Sequence, residues 1–191
     1  MYKILSVRHT GKGHVILRIL EDGKSASYTV GSVVYTSLGS PSSGILLNDA
    51  EYSEIEADDN LFRARKKALG ILSFGDVSES LLRMKLQRAG FARDVADEAV
   101  KFVVLNGYLS EERQLDRLIE REANGALRGP YYIKKKMISK GYSSHDVSES
   151  IRRLTESGEV DFGEIFDRLC DRMGASDDER LALAYKRGFR A

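Results

Sequence analysis

The 191-residue chain reads as mainly α, a set of tandem three-helix repeats forming an elongated curved array, preceded by a small β-rich N-terminal segment. Three observations predict this. A glycine–aromatic pair closes a basic helical stretch three times, at Gly90-Phe91, Gly141-Tyr142 and Gly188-Phe189, with intervals of 51 and 47 residues. A near-constant period of this size marks a repeated structural unit. In the first two units a second glycine, Gly107 or Gly158, follows 17 residues after the first. Finally, the apolar pattern changes from that of strands to that of helices at Asn48.

Taken in order, Tyr2 to Arg8 and His14 to Leu20 are short β-rich runs, joined by a hairpin loop at Gly11-Lys12-Gly13. Glu21-Asp22-Gly23-Lys24 is a hairpin turn that leads into a third run, Ser25 to Val30. Val33 to Leu38 suits either a fourth strand or a short helix, and the Ser/Gly/Pro cluster from Gly39 to Gly44 is a linker by composition. Beyond it, Asp76 and Glu79 resemble a capping box for a helix ending near Ala89. Val95, Ala99, Phe102 and Val103 carry the next helix, with Gly107 as its stop. Ser110 caps a helix whose inner face is Leu115, Leu118, Ile119 and Ala123. Pro130 occupies a first helical position, where its missing N–H costs nothing, and Ile133 and Met137 follow at helical spacing. Val147, Ile151 and Leu154 repeat the pattern of Val95, Ala99 and Phe102, and Ser176 with Glu179 forms a further capping box. The pentapeptide Asp-Val-Ser-Glu-Ser at 76–80 and 146–150 is outside this register, since it opens a second helix in one unit and a third helix in the other. Helix-start grammar explains it.

The predicted organisation is a β-rich segment and linker over 1–47 and an acidic helical connector over 48–60. Repeats over 61–109 and 110–160 follow, then a third over 161–191 that lacks its last helix.

The net charge of +1 argues against a protein that coats nucleic acid by bulk charge, but the charge is unevenly placed. Positions 41 to 60 carry six acids and no base, and Arg63, Arg65, Lys66 and Lys67 follow, placed to neutralise Glu54 to Asp59 or to join a basic surface. From Arg121 to Lys140 six bases face one acid, Glu122. A locally cationic helix in a balanced chain points to a polyanionic surface as partner. No run reaches the roughly 20 apolar residues that cross a bilayer, and the N-terminus lacks a signal-peptide core. The single cysteine, Cys170, lies on the apolar stripe of Phe162, Ile165, Phe166, Leu169 and Met173 and reads as a packed thiol in a cytoplasmic protein.

The units resemble the RecX family, regulatory proteins of the RecA recombinase. In the first unit the resemblance rests on Ala68, Leu69, Leu72, Leu82, Lys85, Leu86, Gly90-Phe91 and Val95. Its strongest segment is Gly107-Tyr108-Leu109-Ser110-Glu111-Glu112-Arg113, and Arg121, Gly125, Gly129-Pro130, Ile133, Gly141-Tyr142, Val147 and Arg187-Gly188-Phe189 continue it. Gln114 stands where the family commonly has an aromatic, and Met137 where it commonly has leucine. The resemblance implies a curved helical protein lying in the groove of the RecA–single-stranded-DNA filament. Such a protein lowers ATP hydrolysis, strand exchange and co-protease activity in recombination and SOS DNA repair. The implied partners are the RecA filament and single-stranded DNA, reached directly or through the filament, with a monomeric regulator and no membrane.

The candidate partner- or DNA-binding residues are Arg83, Lys85, Arg88, Arg121, Arg128, Tyr131, Lys134, Lys135, Lys136 and Lys140. Each basic residue also has an ordinary reading as the solvated face of a helix, and of Tyr131 and Tyr132 one is expected to pack inward. His9, His14 and His145 have no metal-ligand spacing, Gly11-Lys12-Gly13 lacks a phosphate-loop pattern, and no nucleophile–base pair stands out. No cofactor and no catalysis are expected. Two other classes share these features: a sequence-independent DNA-binding helical protein, and a helix-turn-helix transcription regulator.

Overall fold

The computed structural model describes residues 1–190; Ala191, the last residue of the predicted third repeat, lies outside them. Among the described residues the chain forms nine α-helices and one small antiparallel sheet. It divides into two compact units. The first comprises Met1–Ile71 with Leu86–Val103, and the second Leu72–Lys85 with the chain from Val104 onward.

The sheet of the first unit contains β1 (Tyr2–His9), β2 (His14–Glu21), β3 (Lys24–Gly31) and β4 (Leu46–Leu47), in the order β3-β2-β1-β4. Alternation places Val15, Leu17, Ile19 and Val30 on one buried face. A bulge between Ile4 and Ser6 shifts the phase of β1 by one residue, so that Ile4 and Val7 both reach this core. The β2–β3 turn takes positive φ at Asp22 (45°) and Gly23 (80°), the twist that a two-residue hairpin needs.

Of the two readings for Val33 to Leu38, the helix is the observed one: α1 spans Ser32–Ser37 and buries Tyr35, whose hydroxyl donates to the Pro41 carbonyl at 3.1 Å. The fourth strand lies past the Ser/Gly/Pro cluster. Gly44 donates to the Ile4 carbonyl (2.8 Å) and Ile4 to the Ile45 carbonyl (2.9 Å), tying this stretch to the sheet.

Helix α2 (Asp49–Leu72) carries the acidic and basic runs on one 24-residue element. It starts at a reciprocal cap: Asn48 Oδ1 accepts from the Glu51 N–H (2.9 Å) and Glu51 Oε2 from the Asn48 N–H (2.8 Å). Tyr52 and Ile55 pack against the sheet, with the Tyr52 ring stacked on Tyr2 at 3.7 Å. Asp58 and Asp59 accept from the N–H groups of Gly31 (2.6 Å) and Thr29 (2.8 Å). Those donors lie on the outer side of β3, an edge strand, where unpaired N–H groups would otherwise template another chain. The two carboxylates therefore serve the sheet edge rather than the basic run, and Arg65 stacks over the Phe102 ring at 4.8 Å.

Helix α3 (Glu79–Arg88) begins two residues later than a cap at Asp76 requires. Ser78 Oγ accepts from the Leu81 N–H (3.2 Å), whereas Asp76 is ion-paired to Arg117 (3.0 Å). Serine thus fills the cap because the carboxylate two residues earlier is held elsewhere. α4 (Arg93–Leu105) buries Ala96, Ala99, Val100 and Val103. The second unit continues with α5 (Glu111–Glu120), α6 (Pro130–Ser139), α7 (Ser144–Glu156), α8 (Phe162–Met173) and α9 (Asp177–Arg187). Its core joins Leu115, Leu118, Ile119, Ile133, Met137, Val147, Leu154 and Ile165. Cys170 is buried as a free thiol. Arg153 binds Asp116 through two bonds of 2.6 and 2.7 Å and also reaches Glu112, fastening α7 to α5.

Replacing Asp58 by alanine leaves the Gly31 N–H without its acceptor and should lower stability by about 1–2 kcal/mol in urea unfolding followed by circular dichroism. Glu56→Ala, on the exposed side of α2, should change it by less than about 0.5 kcal/mol.

Candidate partner-binding surface

The basic stretch of the second unit is built on an irregular joint. α5 does not end in an ordinary turn; Arg121–Gly125 forms a π-helical turn that buries Glu122 and Ala123. The Arg128 N–H donates back to the Glu122 carbonyl (3.0 Å), and between them Leu127 is held at φ 50°, an uncommon value for a residue with a side chain. Gly129-Pro130 then starts α6.

Gly129 has ordinary extended backbone, so its lack of a side chain answers a different need. A Cβ there would lie 2.2 Å from the Gly188 carbonyl oxygen, and a Cβ on Gly188 (φ 77°) would lie 2.5 Å from that of Tyr132. The third glycine–aromatic turn is docked backbone-to-backbone on the start of α6. Gly129 donates to the Arg187 carbonyl (2.9 Å) and Tyr131 to the Gly188 carbonyl (3.0 Å). The second turn docks at the start of α3 through a side chain instead: Ser78 Oγ donates to the Lys140 carbonyl (3.0 Å), and a Cβ on Gly141 (φ 90°) would fall 2.7 Å from that hydroxyl.

This frame sorts the predicted cations. Lys136 turns inward and pairs with buried Glu122 at 2.6 Å, so the one acid of the stretch neutralises one of its lysines. Lys135 is exposed, Lys134 and Lys140 are half-buried, and among the described residues none of the three is ion-paired. Arg121 is exposed; Arg128 lies over the Tyr132 ring at 4.3 Å. Tyr132 is thus the inward ring of the tyrosine pair, and Tyr131 remains 55% exposed. Arg83 and Lys85 on α3 belong to the same unit, whereas Arg88 falls in the first unit.

Three features escape a reading of the sequence. Gln114, the departure from the aromatic pattern, is buried and accepts from the Tyr142 hydroxyl at 2.9 Å. Burial pushes the Tyr142 phenol up to about 12, so it stays a donor at neutral pH. The signal was a polar residue on the apolar face of α5, which had to find a partner. Glu111 accepts from the Glu79 N–H at 2.6 Å, and burial raises its carboxyl, with Glu79 and Asp146 adding to the rise against the lowering effect of that backbone bond. Arg172 and Arg187 lie with Arg128 around one cleft, far apart in sequence. Among the described residues no group of three or more His, Cys, Asp or Glu could hold a metal ion, and no helix is long and apolar enough to cross a membrane.

No protein-family model matches the chain. It is similar to the regulatory protein RecX of Lactococcus lactis, 24% identical over 139 residues that make up 72% of this chain and 50% of that protein. It is similar also to the regulatory protein RecX of Clostridioides difficile, 24% identical over 115 residues, 60% of this chain and 54% of that one. The chain spans about half the length of these curated relatives. A crystal structure of a regulatory protein RecX shares the fold, with a TM-score of 0.68 over 95% of this chain and 89% of the other at 19% identity.

Gly129→Ala should destabilise the protein by about 3 kcal/mol or more, because neither side of the contact is a flexible side chain. Gly125→Ala, with open space around its Cβ, should shift stability by less than about 1 kcal/mol. Glu111 has a raised folded-state pKa, so its contribution is full below the unfolded value and lost as pH rises through the folded one. The stability of Glu111→Gln relative to the parent should therefore increase as pH rises from the ordinary carboxylate range, about 4, through the raised folded-state value in urea titrations.

Proposed function

With assignment to the RecX family supported by both the curated relatives and the shared fold, we propose that this protein is a modulator, in the inhibitory sense, of the RecA recombinase. It binds the groove of the RecA–single-stranded-DNA filament and reduces ATP hydrolysis, strand exchange and co-protease activity in recombination and SOS repair. It acts in the cytoplasm as a monomer and by binding rather than by catalysis.

The observation that carries this reading is the cationic surface of the second unit on a RecX-like fold. Lys134, Lys135 and Lys140 remain without ion pairs among the described residues, while Lys136 is consumed by Glu122. Arg121, Arg128 and the exposed Tyr131 ring lie on the same joint, and Arg83 and Lys85 in the same unit. Unpaired cations on a rigid helix favour a polyanion or an acidic protein surface without a large entropic cost of ordering. A filament offers both.

The test follows from the split among the lysines. Lys134→Ala, Lys135→Ala and Lys140→Ala combined should weaken binding to preassembled filaments about tenfold or more, with an unchanged melting temperature. Lys136→Ala should instead lower stability by about 2–4 kcal/mol by stranding buried Glu122. Retained inhibition of RecA ATP hydrolysis by the triple variant would remove these lysines from the mechanism.

A further inference from the structure

We propose that the cleft between the π-helical joint and α8–α9 is a phosphodiester-binding site for single-stranded nucleic acid, formed by Arg128, Arg172 and Arg187. It rests on the filament-binding reading only in taking nucleic acid as the source of the phosphate. The cleft holds about 430 Å³ and is lined by Gly125, Leu127 and Leu169 besides the three arginines, with no carboxylate on its walls.

Several observations converge there. Among the described residues neither Arg172 nor Arg187 is ion-paired, so three like charges meet without a protein counterion. In a chain with nearly balanced charge, an acid-free group of this kind calls for an external anion. Arg128 is held by its ring contact and Arg187 is anchored at its backbone, while the Arg172 side chain is exposed at the rim. Arg128 is seated over the Tyr132 ring and its N–H is bonded to the Glu122 carbonyl, while the Arg187 carbonyl accepts from Gly129 next to Arg128. The strained residue of the joint, Leu127 at φ 50°, forms part of the wall, and such strain persists where surrounding structure fixes it for use. Leu127 and Leu169 make an apolar floor, which strengthens any charge interaction above it.

Guanidinium forks bind phosphate through paired N–H groups. One fork suffices for a planar carboxylate; three around one cleft suit the two free oxygens of a phosphodiester and the next phosphate along a strand. The site differs from the lysine surface in residue type. It adds Arg172 and Arg187 to the residues that engage the partner.

The test is a fluorescence-anisotropy titration of the full chain with a labelled 30-mer of deoxythymidine over a salt series. Arg172→Ala/Arg187→Ala would be compared with the parent and with the charge-matched control Arg93→Ala/Arg152→Ala. Melting temperatures would verify folding. Loss of two contacts should weaken binding at low salt about tenfold or more. It should also reduce the slope of log affinity against log salt by about 1.4, roughly 0.7 per phosphate on a single strand. The control should keep the parental slope. Equal slopes for the cleft variant and the control would overturn the site. So would phosphorus NMR showing that inorganic phosphate occupies the cleft while oligonucleotide affinity is unaffected by the substitutions, since the anion would then be a free one. A reduced slope in the cleft variant, together with a parent protein that fails to bind RecA filaments, would sustain the cleft and sink the filament reading.

Discussion

The first turn of α6 leaves backbone N–H groups without intrahelical acceptors, and the last turn of α9 leaves carbonyls without donors; the second unit pairs them with each other. Gly129 and Tyr131 supply the donors, Arg187 and Gly188 the acceptors, and Pro130 between them has no donor to satisfy. This pairing needs two backbones in contact, which only glycine at both positions allows. The equivalent contact one repeat earlier, with Ser78 Oγ donating to the Lys140 carbonyl beside Gly141, uses a side chain in place of an N–H. Ser176, 12 residues before Gly188 as Ser78 is before Gly90, is closed differently: Glu179 Oε2 accepts from both its N–H and its hydroxyl at 2.9 Å. At its second and third occurrences the glycine–aromatic pair is therefore a docking element as well as a helix stop, whereas a Cβ on Gly90 would meet open space. Its aromatic partner completes the contact, Tyr142 by its bond to Gln114 and Phe189 by its contact with Phe166 at 5.0 Å.

The joint between α5 and α6 depends on that docking. A π-helical turn and a residue at positive φ carry the chain into α6 with Glu122 buried, and Lys136 is drawn in to compensate it. What remains outward is a set of cations with defined positions: Lys134, Lys135 and Lys140 on or just beyond α6, and the arginines around the neighbouring cleft. Fold and charge are thus linked. The same backbone contact that fixes the start of α6 sets Arg187 next to Arg128.

Much of this architecture could be read from the residues, for physical reasons. The hairpins were legible because alternation and Asp22-Gly23 fix both register and turn, and α5 to α9 because caps at Ser110, Pro130 and Ser176 bracket apolar faces at helical spacing. Asp76 misled because an acid two residues before Ser78 satisfies the same helix-start pattern, and only a partner 41 residues away, Arg117, decides between them. β4 was invisible, since two residues carry no periodicity and the cluster before them has linker composition. At the candidate surface the lysine run could be seen as charge, but its division into an inward Lys136 and outward neighbours could not, because that depends on a π-helical turn no spacing rule announces. Arg172 carried no local signal and Arg187 was visible only as part of the third glycine–aromatic turn; folding brings both to Arg128.

The most direct measurement is binding of the unmodified protein to preassembled RecA–single-stranded-DNA filaments beside naked DNA at matched salt, while RecA ATP hydrolysis is followed. Preferential binding to the filament with falling hydrolysis is the result expected of a RecA modulator. Equal binding to naked DNA with unchanged hydrolysis would contradict it, and would leave the likeness to RecX proteins as one of fold alone.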